Sequence, residues 1–470
     1  MTDSVTQFFA PRARLVDVAS NTVIGGDQWG DTNVLSLVSA RVTLVNTGVA
    51  QLQVVLDNTI FDAEGLPKQP PWLYNALDRI KFGQKVRLDL TYGDGPWTKM
   101  IVAQINDMQF GFAAAGPAQV TLTGEDLLSR LKAKPTDDKP YPRGTTEEQI
   151  VGDVVSRSHN TDTPFAGSTV TNETRDGEGY LANEGSTIAW PTITEDLAPV
   201  THQKAQSYLQ FLQSIADRMD FEIFVDFKRN YLPLDEPGTA PAHAQPESVH
   251  DNDVMLHFEP ARSLLAGAAP SFYVPLYWGP ARDAQSPPPN LLTFTPKLKV
   301  WDLVTGVKVK GRNPTSVTRI QHEVEGSAAA AAVAQDLGST STTPLVDALT
   351  LRTQLLQDVT VPTDVPLDVD ATNLGEERAK LLAVAKLREK ARELISVEAT
   401  TLGFPSLRAG IHVDVNGLQA PFDGLYYVLK AVHTFDAGGY KTALTLRRSG
   451  MQNPNQYAWK LSSARPSGGS

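Results

Sequence analysis

Cysteine does not occur in these 470 residues. Its absence excludes disulfides, thiolate nucleophiles and cysteine-held metals, and suits a chain folded in a reducing compartment. Basic charge is in deficit: 42 Lys and Arg face 53 Asp and Glu, a formal net charge of −11. Reading or coating nucleic acid requires a basic excess on some face to meet the phosphates, so no sequence-specific nucleic-acid partner is expected. Long apolar runs are missing too. No stretch of eighteen apolar residues is present, and no apolar segment follows basic residues at the N-terminus. Neither membrane insertion nor a signal peptide is expected.

Catalytic signatures are equally scarce. The eight histidines, His159, His202, His243, His250, His257, His322, His412 and His433, form no H-E-x-x-H pair. His257 and Glu259 alternate onto one strand face without a third ligand nearby in sequence, which favours a surface pair over a metal site. Asp368 to Asn373 begins like a calcium loop, but Asn373 stands where glycine is required and Ala379 where an acid is required. Helix capping by Asn373 explains that segment better. Asp176 to Gly179 lacks the glycine spacing and the Lys-Ser/Thr of a phosphate loop, and no G-x-S-x-G elbow occurs. Glu147-Glu148 and Glu376-Glu377 fall at predicted helix starts, where they complement the dipole rather than form an acid/base dyad. Arg447 and Arg448 read as a solvated pair within reach of an acidic partner. No catalytic, cofactor-binding or metal-binding residue is assigned, and no cofactor is expected.

What the chain does contain is β pattern, twice. Ile411 to Val415, Leu425 to Phe435 and Tyr440 to Leu446 are three runs rich in β-branched and aromatic residues, separated by glycine turns. Asp436-Ala437-Gly438-Gly439 makes the tightest turn. A similar unit lies upstream, with Gly83 preceding Val86 to Leu90, a turn ending in Trp97, a long strand Lys99 to Phe110 and a short one Gln119 to Thr123. Matching Gly83 with Gly410 and Leu122 with Leu446 gives nearly constant spacing. Val42 to Val45 leading into Ala50 to Leu56 is matched with Leu298 to Leu303 leading into Gly306 to Lys310. The pattern predicts an α+β, mainly β chain, with two antiparallel β domains related by internal duplication and a small α/β domain between them.

Taken in order, residues 1–131 form the first β domain, with an excursion from Asp62 to Ile80 that includes a possible short helix, Leu73 to Asp78. Residues 132–290 form the middle domain. It holds a helix capped near Thr145-Thr146, a second capped by Ser207 with Tyr208, Phe211, Leu212 and Ile215 on one face, and a strand from Phe221. That apolar stripe reads as core rather than a cofactor box. Residues 291–450 form the second β domain with a long helix, 376–395, and 451–470 form a flexible tail.

These residues carry a family resemblance. Gly403-x-Pro405-x-Leu407-x-x-Gly410, Phe422-Asp423-Gly424-x-Tyr426-x-Val428, His433-x-Phe435-Asp436 and the ending Leu446-Arg447-Arg448 resemble the C-terminal part of phage late control protein D and VgrG-type spike proteins. Leu122 to Leu127 and the Tyr208 to Ala216 helix resemble the same family's passage into its middle domain. The resemblance covers most of residues 12 to 450. It implies a non-enzymatic baseplate hub of a contractile tail or injection system. Two tube-protein-like barrels per chain would form a homotrimeric ring with pseudo-sixfold symmetry, joining a hexameric tube to a trimeric spike. The implied partners are a separate spike protein, because no needle follows Arg448, the tail tube or its initiator, other baseplate proteins and a tape measure protein. The implied location is the bacterial cytoplasm during assembly and then the particle. The alternatives are a baseplate-associated peptidoglycan hydrolase or cell-wall-binding scaffold, and a soluble binding protein that stays monomeric.

Overall fold

The computed structural model describes residues 11–26, 36–61, 67–93, 95, 97–113, 117–157, 200–227, 254–260, 273–279, 288–299, 304, 306–312, 319–325, 366–372, 375–419 and 422–448. His159, His243, His250, Asp176 to Gly179, Asn373, residues 326–344 and the tail lie outside them. The first half of the chain is built of β1 (Pro11–Asp17), β2 (Thr22–Gly26), β3 (Leu37–Val45), β4 (Gln51–Asp57), β5 (Thr59–Phe61), β6 (Pro67–Trp72), β7 (Lys85–Tyr92), β8 (Thr98–Gly111) and β9 (Gln119–Asp126). A 3-10 turn, Leu127–Lys132, leads to β10 (Lys139–Tyr141), α1 (Glu147–Arg157), β11 (Val200–His202), α2 (Tyr208–Met219), β12 (Phe221–Phe227) and β13 (Val254–Pro260). Then follow β14 (Tyr273–Tyr277), β15 (Leu291–Leu298), β16 (Gly306–Arg312), β17 (Arg319–Glu325), β18 (Pro366–Thr372), α3 (Glu376–Ala391), β19 (Ile395–Leu402), β20 (His412–Asn416), β21 (Gly424–Asp436) and β22 (Gly439–Arg448). The chain is α+β and mainly β.

Among the described residues thirteen strands join one sheet, and the order within it repeats. β3-β4-β9-β8-β7-β1 and β15-β19-β22-β21-β20-β14 have the same connectivity. Their irregularities coincide as well. Each first pair shifts register near its start, at Leu37/Ser39 and Leu291/Thr293, and each long strand bulges, at Ile105/Asp107 and Val428/Lys430. Bulges bend a strand at a chosen point, so shared positions mean shared curvature. Gly83 and Gly410 take φ of 76° and 78° ahead of equivalent strands, a region that only glycine enters cheaply. One pairing differs, since β1 runs antiparallel to β7 while β14 runs parallel to β20.

The duplication is therefore real, but two sequence matches are corrected. Leu122 lies opposite Met108, and Leu444, not Leu446, lies opposite the equivalent Ala431. The two-residue turn after β21 is shorter than the connection after β8, which offsets the strands that follow. Residues 306–310 are not the second copy's upstream strand, because β16 belongs to a separate three-stranded sheet, β17-β16-β18. The true counterparts of β3 and β4 are β15 and β19. Between them the second copy carries β16 to β18 and α3 as an insertion with its own core, in which Val307 and Val309 pack on Ala379, Ala383 and Leu387.

In the first copy, Leu15, Val42, Val54, Leu88, Ile105 and Leu122 come from six strands and share one core, so the run rolls up on itself. Ser36 N–H donates to Gly26 O (3.1 Å), and the Tyr74 hydroxyl donates to Ile24 O (2.8 Å), drawing β2 onto the start of β3. Residues 73–78 are turns, not the expected helix. Asn58 O and Oδ1 take the Leu73 and Tyr74 N–H groups, and Leu77 adopts positive φ. The middle segment packs α1 and α2 on β12–β13 through Ile150, Val154, Leu212, Ile215, Ile223 and Phe258. Ser207 caps α2 in a capping box with Gln210, as its sequence predicts. The helix expected over 376–395 stops at Ala391, because Ile395 onward pairs with β22. Gly375 occupies its N-cap position without a side-chain bond.

Candidate functional site: the seam joining the two copies

The two copies fuse where β21 outruns its neighbour. Val415 to His412 of β20 pair with Gly424 to Tyr427, and beyond them Lys430 to Phe435 pair antiparallel with Val45 to Ala40 of β3. Asn46 N–H extends this ladder to Leu429 O (3.0 Å). Side chains cross the seam in both directions. Tyr440 of β22 packs in the first copy's core, and the Tyr92 hydroxyl donates to Gly403 O (2.6 Å).

Three acids of the middle segment meet three arginines of the second copy. Asp220, in the left-handed C-cap of α2, pairs with Arg392. Glu222 accepts from Asn46 Nδ2 (2.5 Å), Arg447 Nη2 (3.2 Å) and the Tyr427 hydroxyl. Burial raises its pKa, while Arg447 and these hydrogen bonds oppose the rise. Asp226 is paired with Arg408, whose Nε donates to Asp226 Oδ2 (3.0 Å). The same guanidinium donates to Met100 O (2.7 Å) and Lys99 O (3.3 Å) on β8. One buried side chain thus ties both copies to the middle segment. Arg447 and Arg448 are consequently not the solvated pair expected, since Arg447 serves Glu222 and buried Arg448 donates to Asp423 O (2.9 Å).

His433 sits at the centre of the seam. Its Nε2 lies 2.7 Å from Leu407 O, which can only accept, so Nε2 carries the proton and Nδ1 accepts from the Tyr440 hydroxyl (2.7 Å). Burial, reinforced by Arg408, pushes its pKa down to about 3. Below about pH 6.5 the unfolded chain takes a proton that the folded chain refuses, so stability is lost as pH falls from about 6.5 towards 3. The loss is expected to approach ~1.4 kcal/mol per pH unit relative to His433→Gln, which keeps both hydrogen-bonding senses. Urea unfolding of both proteins across that range checks it, and parallel pH profiles would exclude the assignment. Asp126 acts in the opposite sense: burial raises its carboxyl to about 8, so its contribution weakens as pH rises through about 4 to 8.

Several other sequence candidates are used for packing or pairing. His257 is buried and stacks on Phe224 (4.7 Å), so the surface pair with Glu259 is corrected. His202 stacks on Phe211 (4.3 Å). Asp368 and Asp370 lie in strand β18, not in a loop. Glu147 is buried against Arg378 (2.6 Å), which joins α1 to α3. Among the described residues no group of three or more His, Asp or Glu is placed to hold a metal. Sequence reasoning missed Glu222, Asp226 and Arg408. The available signal was two carboxylates inside the otherwise apolar run Phe221 to Phe227.

No protein-family model and no curated protein sequence matches the chain. Solved structures do. A tail protein from Neisseria meningitidis MC58 aligns over 95% of this chain and 99% of its own, with a TM-score of 0.50 and 11% identity. The 43 kDa tail protein of prophage MuSo2 from Shewanella oneidensis aligns over 94% and 99%, again at 0.50 and 11%. An Escherichia coli component of the type VI secretion system, described as similar to the T4 bacteriophage tail proteins gp27 and gp5, aligns over 89% and 77% at 0.42 and 8%. The chain has the fold of phage tail proteins, the fold to which its sequence resemblance pointed.

Proposed function

We propose that the chain is a structural baseplate hub of a contractile tail or contractile injection particle. Three copies form a ring of six similar β units that joins a sixfold tube to a threefold spike. The observation that carries this reading is the duplicated sheet fused edge to edge through β3 and β21: one chain presents two equivalent units, so threefold assembly presents six. The fold shared with tail proteins supports a tail-associated role without catalysis. The proposed units are residues 1–131, a middle unit from 132, and a second β unit up to 450, whose sheet takes in β14 (Tyr273–Tyr277) and so begins ahead of the boundary expected at 290. The proposed partners are a separate spike protein, the tube or its initiator and neighbouring baseplate proteins, with the tape measure protein at the lumen.

Native mass spectrometry of the full chain, alone and with spike and tube proteins, tests the reading. A species near 153 kDa, three times the 51.0 kDa chain, is the expected result. A chain that remains monomeric with both partners present overturns it.

A further inference from the structure

The internal seam uses a strand that outruns its neighbour and a strand that ends a sheet. Both features occur a second time, unjoined. β8 is the counterpart of β21. Its pairing with β7 stops at Gln104, and from Asp107 to Gly111 β9 is its only partner among the described residues. β15 is the counterpart of β3, and β19 is its only partner among the described residues. Resting on the hub reading, we infer that the open edge of β8 takes β15 of a second copy of this chain, antiparallel and in the register of the internal seam.

The register follows from the repeat. Asp107 stands opposite Thr123 just after the bulge, as Lys430 stands opposite Thr445. Following the ladders from the other side, Thr295 takes the place of Arg41. Transposing the pairing of β21 with β3 sets Asp107 opposite Lys299, Met108 opposite Leu298 and Gln109 opposite Lys297. Phe110 then meets Pro296, Gly111 meets Thr295, and Phe112 meets Phe294.

The chemistry of this register is complementary. Met108–Leu298, Phe110–Pro296 and Phe112–Phe294 put apolar pairs on one face, while Asp107–Lys299 sets opposite charges on the other. Phe112 and Leu298 are 54% and 40% exposed in the single chain, large apolar groups at both edges. Main-chain direction agrees. Lys299 N–H points inward to Leu394 O (2.9 Å), so by alternation Phe294, Pro296 and Leu298 turn their main-chain groups to the open edge. Pro296 withholds one donor there, which blunts the edge against indiscriminate strand pairing while leaving its carbonyl and both neighbours available. The contact is heterologous, so repeating it closes a ring or grows a filament, and closure at three chains is what the hub reading requires.

The cysteine-free chain makes the test direct. Gln109 and Lys297 would face each other at a non-hydrogen-bonded position with Cα atoms about 4.5 Å apart, within disulfide range. Full-length Gln109→Cys/Lys297→Cys, oxidised at assembly concentration, is expected to run as a covalent trimer near 153 kDa on a non-reducing gel and to return to 51.0 kDa on reduction. Gln109→Cys/Thr293→Cys, displaced along β15, is expected to cross-link at least about tenfold less. A native trimer that fails to cross-link, or cross-links equally in both variants, overturns the strand pairing and leaves the hub reading standing. A chain that stays monomeric with spike and tube proteins overturns both.

Discussion

Arg408→Met is expected to lower folding stability by about 3–5 kcal/mol, the cost of removing one partner from a buried ion pair. The substitution preserves most of the side chain's volume, so the loss is electrostatic. Asp226, 6% exposed, keeps its charge without the guanidinium that faced it, and the carbonyls of Lys99 and Met100 lose a donor. Because Arg408 touches β8, β12 and the second copy together, the midpoint of urea unfolding should fall and the copies should separate before either core melts. Adding Asp226→Asn should recover part of the loss, since the uncompensated charge is then gone. A drop below about 1 kcal/mol would show that the pair is not what holds the seam. Removing Arg408 should also let the His433 pKa rise, because that cation helps to hold it down.

Gly403→Ala is expected to cost about 3 kcal/mol, at the upper end of overpacking effects, although it adds a single methyl group. A Cβ at this position would sit 2.2–2.5 Å from ring atoms of Tyr440. That ring is buried, and its hydroxyl is held by His433 at 2.7 Å, so it cannot swing aside without breaking the hydrogen bond at the centre of the seam. Gly403 N–H also donates to Tyr440 O (2.9 Å), which fixes the approach from the main chain. In the background of Tyr440→Ala, which removes the ring, the glycine substitution should cost little. Thermal or urea unfolding of the four-member cycle measures this coupling, and additive losses would rule out the steric account.

Local pattern made much of this fold readable in advance. The alternation in Tyr440 to Leu446, the capping box at Ser207 and the glycine before each of two strands are signals that short-range sterics impose on sequence. The duplication was readable for the same reason, because Gly83 and Gly410 each take a backbone region that glycine enters most cheaply. The insertion was not. Gly306 to Lys310 alternates as well as any barrel strand, and nothing local tells a strand which sheet it will join. Seam chemistry was hidden by distance: Arg408 and Asp226 pair across the fold, and a buried arginine in one segment looks like a solvated one until its partner is placed. The same blindness made Arg447 and His257 read as surface residues.

The junction of β3 with β21 also sets a timetable. β3 is among the first strands to leave the ribosome and its partner among the last. At ~5–20 residues per second the edge of β3 waits roughly 20–80 s for β21, while the rest of the first copy is able to fold. During that interval the nascent chain offers one unpaired edge, that of Leu37–Val45, rich in the residues that pair with any edge they meet. Its single charge, Arg41, is exposed in the finished sheet, and an exposed charge in the middle of a sticky strand is a gatekeeper against such pairing. Arg41 is thus placed to protect the chain while it is being made.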